Sequence, residues 1–266
     1  MEIEIVTLSR QGGRSYNEDV HGHWHDERYV ACLVADGAGG HGGGDVAAAT
    51  ARSSVLGGFS HSPGLDAGGL RDLLEQANRD VVKRQSEGGK LAAMRTTIVL
   101  AAIDLHHNQF AWAHSGDSRA YLFRAGALVA RTVDHSLVQQ MVAGGMLDEE
   151  GARMHPQRNM LLSALGSIDE LPEIAVSAPM PLVAGDVLLL CSDGIWEPLG
   201  DECLLETLQA SRNPSQWVEH LDQQIKARAK PGHDNYTALA AWLHADDEET
   251  RLLPVSADEA APDSAP

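Results

Sequence analysis

Apolar runs that stop at an aspartate recur along the chain. Each run has the length of a buried strand, and each leads into an Asp-Gly or Gly-Asp pair: residues 29–35 before Asp36-Gly37, 111–115 before Gly116-Asp117, and 187–192 before Asp193-Gly194. A carboxylate at the end of a buried strand is costly unless a hydrogen-bond network or a metal ion compensates it. One Asp-Gly pair alone is most simply a turn, but its recurrence favours a shared role for the three aspartates.

The rest of the pattern predicts strands and helices in groups. Further strands are indicated at residues 2–9, 20–25, 96–103, 119–123, 128–132, 173–176 and 236–243. Helices are indicated over 45–56, from Asp66, from Asp201 and from Pro214, with a flexible connection from Gly57 to Gly69. Grouped strands and paired helices predict an α+β fold in which two sheets lie between helix layers. The two halves do not differ as separate domains would, so residues 1–245 are interpreted as one domain.

Two segments depart from this regular pattern. Residues 134–166 are polar, contain methionine and glycine, and show only short helical stretches at 136–143 and 148–154. We interpret them as an insertion or flap on the sheet framework. Residues 246–266 are acidic and rich in proline and alanine, a composition that predicts a disordered tail.

Composition and charge narrow the class of protein. An apolar fraction of 43% and a charged fraction of 22% are ordinary for a soluble globular protein. The net charge of −18 argues against a surface for nucleic acid or anionic membrane. Bound divalent cations would still permit a phosphate substrate. No apolar run approaches the roughly 18 residues of a membrane span, and the start lacks the features of a signal peptide. A cytoplasmic location with no membrane insertion is therefore expected, and the three cysteines fit reduced thiols.

Further carboxylates lie beside predicted strands, at Asn17-Glu18-Asp19 and at Asp234-Asn235. Clusters whose donors are all oxygen suit hard cations such as Mg²⁺ and Mn²⁺. Histidine and cysteine lack the spacing of a zinc site.

Seven motifs in this order resemble the PP2C family of metal-dependent protein serine/threonine phosphatases, and its compact bacterial members in particular. They are Arg14-x-x-Asn17-Glu18-Asp19, Asp36-Gly37-x-Gly39-Gly40-His41, Thr96-Thr97, Gly116-Asp117-Ser118-Arg119, Asp134-His135-Ser136, Ser192-Asp193-Gly194 and His233-Asp234-Asn235. The resemblance spans residues 8 to 243. It implies a four-layer αββα sandwich of two mainly antiparallel sheets flanked by helix pairs, with a metal centre at one end of the sheets.

The resemblance also implies a set of metal ligands. Two Mn²⁺ or Mg²⁺ ions would be held by Asp19, Asp36, Asp193 and Asp234 with the backbone carbonyl of Gly37, and Asp36 would bridge them. Glu18 would reach metal through water, and a third, weaker ion would use Asp117 and Asp193. A turn is the alternative role for Asp117.

In such a centre, a water or hydroxide that bridges two cations attacks phosphorus directly. The resemblance assigns Arg14 to the substrate phosphate, where its forked guanidinium suits two oxygens; taken alone, Arg14 would be a surface residue. Many family members place a histidine directly after the Asp-Gly pair, where this chain has Ala38. His41 is the candidate acid for the leaving group, with metal-bound water and a merely solvated histidine as alternatives.

The expected function is hydrolysis of phosphoserine and phosphothreonine in proteins, in opposition to a serine/threonine kinase, by a monomeric enzyme. The expected partners are phosphorylated proteins and a cognate kinase, without nucleic acid. The alternative is a catalytically weak module that uses the same fold for binding or regulation. The intact aspartate set argues against that alternative.

Overall fold

The computed structural model describes residues 1–38, 42–168 and 171–245. The strands within these ranges are β1 (Glu2–Arg10), β2 (Asp19–His25), β3 (Tyr29–Ala38), β4 (Arg95–Thr96), β5 (Ile98–Asp104), β6 (Gln109–Ser115), β7 (Arg119–Arg124), β8 (Ala127–Arg131), β9 (Ala175–Val176), β10 (Met180–Pro181), β11 (Val187–Cys191) and β12 (Tyr236–His244). The helices are α1 (Gly44–His61), α2 (Ala67–Gln85), α3 (Leu137–Ala143), α4 (Glu149–Met154), α5 (Asp193–Gln209) and α6 (Pro214–Arg228), and a 3-10 turn covers Gly89–Leu91.

The strands form two antiparallel sheets. One sheet has the order β1-β12-β11-β7-β8, and the other has the order β10-β6-β5-β3-β2, with β4 added to β3 and β9 added to β6. The second and third strands pair with each other, with Val20 opposite Ala35. Several strands that follow each other in the chain lie side by side in a sheet. The last strand, β12, lies between β1 and β11.

Three apolar clusters hold the layers together. Residues of α1 and α2 such as Phe59 and Leu74 pack on the sheet that contains β3 and β5. Residues of α5 and α6 such as Trp217 pack on the sheet that contains β11 and β12. A third cluster, with Val34 and Leu188 among its members, fills the space between the two sheets. The molecule is thus a helix–sheet–sheet–helix sandwich, which confirms the predicted fold.

Two helix boundaries differ from the sequence-based prediction. Helix α1 continues through Gly57, where a flexible connection was expected, and ends at His61. The reason is Phe59, which is fully buried in the first cluster and outweighs the low helix propensity of its glycine neighbours. Helix α5 begins at Asp193 and not at Asp201; Gly200, with φ of 68°, interrupts it.

Residues 134–166 form the two expected short helices. Ser136 caps α3 by accepting a hydrogen bond from the Gln139 amide, and Asp148 caps α4 through the Gly151 amide. The end of the segment returns to the sheet, because Leu165 exchanges two backbone hydrogen bonds with Thr96. The predicted tail, 246–266, lies outside the described residues. Among the helices described, none is both long and apolar enough to cross a bilayer.

Candidate metal centre

Asp19 and Asp36 lie directly opposite each other on the antiparallel strands β2 and β3. Asp19 is 7% exposed, and its Oδ2 accepts a hydrogen bond of 2.7 Å from Ser192 Oγ. Its Oδ1 has no hydrogen-bond partner among the described residues. Asp36 is anchored through its backbone carbonyl, which accepts hydrogen bonds from Thr97 N at 2.8 Å and Thr96 Oγ1 at 2.9 Å. The two carboxylates are therefore fixed side by side by strand register.

Asp193 joins them from the other sheet. The short link Ser192 connects β11 to α5, so Asp193 is the first residue of that helix. Its buried Oδ1 likewise lacks a partner in the described part of the chain. Gly194 is required beside it, because a Cβ there would lie 2.0 Å from the carbonyl oxygen of Asn235. This close approach brings the start of α5 against the segment that carries Asp234.

Asn235 ties three segments together. Its Oδ1 accepts a hydrogen bond from Glu18 N at 2.9 Å, and its Nδ2 donates to the carbonyls of Gln11 and Tyr16. The loop that carries Arg14 and Glu18 is thereby fixed to the loop that carries Asp234. The sequence indicated Asn235 only as the residue after Asp234 in a motif, whereas in the structure it is 5% exposed and holds these segments together.

Glu18 lies against the beginning of α1. Its Oε1 accepts hydrogen bonds from Gly44 N at 3.0 Å and from Tyr16 Oη at 3.3 Å. Its backbone carbonyl accepts one from Gly37 N. A Cβ on Gly37 would lie 2.2 Å from the carbonyl oxygen of Gly44, so both glycines are needed for this contact.

Asp117 follows β6 and is 7% exposed. Its backbone carbonyl accepts a hydrogen bond of 2.9 Å from Trp196 Nε1. The same indole ring lies 3.5 Å below the Arg119 guanidinium, which makes a two-pronged ion pair with Asp134 at 2.8 and 2.7 Å. This buried network links the Asp117 turn to the beginning of residues 134–166. Sequence reasoning missed Trp196, because a single tryptophan after Asp-Gly carries no signal of its partners.

Arg14 makes a direct contact with one carboxylate of the cluster. Its Nη2 donates a hydrogen bond of 2.6 Å to Asp234 Oδ2, and both side chains are partly exposed. This hydrogen bond is the main reason why the pKa of Arg14 is raised.

The carboxylates resist simultaneous ionisation. Burial first, and then the charge of Asp19, raise the pKa of Asp36 well above its usual range. Burial followed by the charge of Asp117 does the same for Asp193. The pKa of Asp19 rises to about 6 and that of Asp117 to about 7, in both cases chiefly because of burial. A buried cluster of like charges is stable as a set of anions only with a compensating cation.

An open cavity of about 920 Å³ lies over this cluster. Arg14, Tyr16, Lys90, Asn159 and Leu161 contribute to its wall, together with the carboxylate residues Glu18, Asp36, Asp117, Asp193 and Asp234. Asp19 is buried and is not part of that wall. The arrangement thus offers carboxylate oxygens and one guanidinium to a ligand that enters from solvent.

These residues fit a hard divalent cation. All charged donors are oxygens, and two of the buried oxygens lack partners among the described residues. Burial, and after it the charge of neighbouring carboxylates, raises the pKa values of Asp36 and Asp193, and a bound cation would offset both effects. Within the described ranges, no three carboxylate, imidazole or thiol groups already enclose a common point.

Two other predicted features have different outcomes. His41 lies outside the described residues, so its role stays a prediction. Cys32 and Cys191 are buried, and burial raises the pKa of Cys32 to about 12 and also raises that of Cys191. Neither thiol is suited to nucleophilic chemistry.

Comparison with known proteins identifies the family. The family model for protein phosphatase 2C matches residues 9–244. The serine/threonine phosphatase stp of Listeria monocytogenes is 34% identical over 233 residues, which cover 85% of this chain and 90% of that protein.

Solved structures agree with this result. The serine/threonine phosphatase PstP/Ppp of Mycobacterium tuberculosis has a TM-score of 0.75 at 31% identity, covering 91% of this chain and 99% of that one. A structure of the catalytic domain of PstP in complex with two manganese ions has a TM-score of 0.75 at 30% identity, with the same coverage. The chain therefore belongs to the protein phosphatase 2C family, which confirms the resemblance of its motifs and the predicted fold and enzyme class.

Proposed function

We propose that this chain hydrolyses phosphoserine and phosphothreonine in proteins at a centre of divalent cations. Asp19, Asp36, Asp193 and Asp234, with the Gly37 carbonyl, would hold two Mn²⁺ or Mg²⁺ ions. The observation that carries the proposal is the cluster of carboxylates, with Asp19 buried behind it, beneath an open cavity that Arg14 also lines. Glu18 would contribute through water, and Asp117 with Asp193 would hold a third ion.

When bound, such ions supply a nucleophilic water of lowered pKa and offset charge on the transferring phosphoryl oxygens. The chain's own residues supply position. Strand register holds Asp36 beside Asp19, and Asn235 holds the Arg14 loop beside Asp234. Arg14 would donate two hydrogen bonds to non-bridging oxygens of the phosphoryl group. Its contact with Asp234 keeps the guanidinium at the edge of the cavity until substrate arrives.

The proton for the leaving oxygen needs a separate source. Ala38, which follows Asp36-Gly37, carries no donor. We assign this role to His41, with water as the alternative. If His41 is the acid, His41→Ala should slow the hydrolysis of phosphopeptides, whose alkoxide is a poor leaving group, far more than the hydrolysis of p-nitrophenyl phosphate. Equal effects on the two substrates would assign the role to water.

Residues 1–245 would form a single domain, and residues 134–166 would act as a flap on it. Asn159 and Leu161 of this segment line the cavity. The Arg119–Asp134 ion pair fixes its beginning, and Leu165 fixes its end. The stretch between these anchors therefore contacts whatever protein segment brings the phosphate.

The proposed partners follow from the reaction. A phosphoserine hydrolase requires a kinase to form its substrate, so a cognate serine/threonine kinase is the expected opposing enzyme. The relative from Listeria monocytogenes is named a serine/threonine phosphatase, which supports phosphoprotein substrates. We further propose that the chain works as a monomer in the cytoplasm.

The test is phosphate release from a phosphothreonine peptide by the purified chain. We expect turnover with Mn²⁺ or Mg²⁺ and none after EDTA, with recovery when metal is restored. Turnover that persists in EDTA would contradict the metal centre. Absence of turnover with every metal, from protein with a cooperative unfolding transition, would favour a binding module instead.

A further inference from the structure

Two cations, one lining the cavity and one on the strand beside it, have no partner in the described part of the chain. Lys90 lies in the 3-10 turn Gly89–Leu91 and lines the cavity. Arg95 lies on β4 and is exposed. Neither side chain makes a hydrogen bond or an ion pair with any described residue, whereas Arg14 is engaged by Asp234. Unpaired positive charge beside a predominantly acidic cavity calls for an explanation.

The position of Lys90 is fixed by backbone packing. A Cβ on Gly43, the residue before α1, would lie 2.8 Å from the carbonyl oxygen of Lys90. One on Gly42 would lie 3.4 Å from Lys90 Cδ and 3.8 Å from Tyr16 Oη. The lysine stem and the tyrosine hydroxyl therefore flank the same point of the cavity rim, close to the loop that carries Arg14.

Strand pairing places Arg95 beside the same rim. It lies directly opposite Ala38 in the pairing of β3 with β4, and Ala38 lines the cavity. Paired side chains across antiparallel strands stand about 5 Å apart on the same face. The next residue, Thr96, donates a hydrogen bond to the carbonyl of Asp36, so the Arg95 backbone is anchored to the centre itself.

The neighbouring charges leave these two cations available for a ligand. Asp45 is the exposed carboxylate on this part of the rim, and it makes no ion pair with either cation. The remaining carboxylates form the floor of the cavity, where they would face metal ions. A phosphoprotein segment that places its phosphate over the floor must pass its flanking residues across the rim. An anionic group on those flanking residues is the complement of Lys90 and Arg95.

We propose that Lys90 and Arg95 form a second anion subsite that selects phosphoprotein segments with another negative group close to the phosphate removed. That group would be an acidic side chain or a second phosphate. The inference rests on the proposed phosphatase function, whose substrate class it narrows. Under this inference, Arg95 contributes to substrate recognition.

The test compares three phosphothreonine peptides of one sequence with neutral, acidic or phosphoserine flanking residues. The variants are Lys90→Gln, Arg95→Gln and the double variant, with Lys83→Gln, an exposed lysine of α2 that does not line the cavity, as the control. For the unaltered chain at low salt, we expect kcat/KM for the acidic peptides to exceed that for the neutral peptide by about fivefold for each anion–cation pair. The rise should disappear in the double variant and persist in Lys83→Gln. A larger rise with phosphoserine than with aspartate would identify a second phosphate as the preferred group.

Two readouts separate this inference from the proposed function. Hydrolysis of p-nitrophenyl phosphate, which has no flanking residues, is the reference: the double variant should lose more activity on the acidic peptides than on this substrate, and equal losses would overturn the inference. Equilibrium binding of fluorescein-labelled peptides, measured by anisotropy, tests the subsite even in the absence of turnover. Tighter, salt-sensitive binding of the acidic peptides that is lost in the double variant supports the inference. Equal affinities for neutral and acidic peptides, or a preference that survives in the double variant, would overturn it.

Discussion

The Arg14 guanidinium donates to Asp234 at 2.6 Å, so the residue assigned to phosphate contacts a residue assigned to metal. The same carboxylate can hold the arginine or turn toward a cation, and the arginine can then turn toward phosphate. The pair is exposed enough that its own contribution to stability is below about 1 kcal/mol. Its effect is to place the guanidinium assigned to phosphate beside a carboxylate assigned to metal.

Replacement of Arg14 should therefore impair catalysis without unfolding the chain. We expect Arg14→Ala to lower kcat/KM for a phosphopeptide by about 100-fold, because a charged two-pronged contact to phosphate is lost. Arg84→Ala, an exposed arginine of α2, is the control. Steady-state kinetics with both variants check this. Unchanged kcat/KM for Arg14→Ala would exclude a phosphate role.

The carboxylate cluster should destabilise the metal-free chain. Asp193→Asn removes one of several clustered negative charges, so we expect its melting temperature in EDTA to exceed that of the unaltered chain by about 2–4 °C. Mn²⁺ should raise the melting temperature of the unaltered chain and have little effect on the variant. Scanning calorimetry with and without Mn²⁺ measures both. A variant less stable in EDTA and equally stabilised by Mn²⁺ would contradict the repulsion argument.

Much of this centre could be predicted from sequence because Asp36, Asp117 and Asp193 come at the ends of apolar strands. Strand register then forces Asp19 beside Asp36, and the turn after β11 delivers Asp193. The supporting contacts could not be predicted in the same way. Asn235 and Trp196 act through partners far away in the chain, such as Gln11 and Asp117, and local sequence contains no information on such pairs.

The errors in the helices have a similar origin. Gly57 weakens a helix locally, but the buried Phe59 two residues later stabilises it through contacts with the sheet. Tertiary packing therefore decided the end of α1. His41 lies in a glycine-rich stretch outside the described residues, so its role as the leaving-group acid stays a prediction.

Two glycines provide a matched test of the close packing at the centre. Gly194→Ala should abolish folding or cost more than about 3 kcal/mol, because the new Cβ would clash with the Asn235 carbonyl oxygen at 2.0 Å. Gly57→Ala meets nothing within 4 Å in the middle of α1, and should stabilise the chain by about 0.5–1 kcal/mol. Urea denaturation of both variants gives the free energies of unfolding. Equal effects of the two substitutions would refute the packing argument.

The buried ion pair beside Asp117 should depend on the shape of arginine. Arg119→Lys keeps the charge but loses the second hydrogen bond to Asp134 and the flat contact with Trp196. We expect a loss of about 3 kcal/mol in the free energy of unfolding. Arg79→Lys on the exposed face of α2 should cost less than about 0.5 kcal/mol. A similar small loss at both sites would show that the pair contributes little.

His114 should make stability fall in mild acid. Its Nε2 donates to the Val133 carbonyl at 2.8 Å, its ring stacks on His135 at 4.7 Å, and burial lowers its pKa to about 4. The unfolded chain, with a pKa near 6.5, binds the proton first, so this contribution is complete above pH 6.5 and is lost as the pH falls toward 4. It amounts to about 3 kcal/mol across that range.

Replacement of this histidine separates its effect from that of the carboxylates. Phenylalanine at position 114 cannot take up a proton. The free energy of unfolding of His114→Phe should therefore fall less steeply between pH 6.5 and 4.5. The difference in slope should correspond to nearly one fewer proton taken up on unfolding. Denaturant titrations in EDTA at a series of pH values measure the slope. Identical slopes for the variant and the unaltered chain would show that His114 is protonated as easily in the folded state.

The most direct test of the central claim is phosphate release from a phosphothreonine peptide with Mn²⁺ by Asp36→Asn. Asp72→Asn, an exposed carboxylate on α2, serves as the matched control. We predict that Asp36→Asn unfolds cooperatively but releases phosphate at less than about one hundredth of the normal rate, whereas Asp72→Asn remains fully active. Normal turnover by folded Asp36→Asn would contradict the assignment of this carboxylate cluster as the catalytic metal centre.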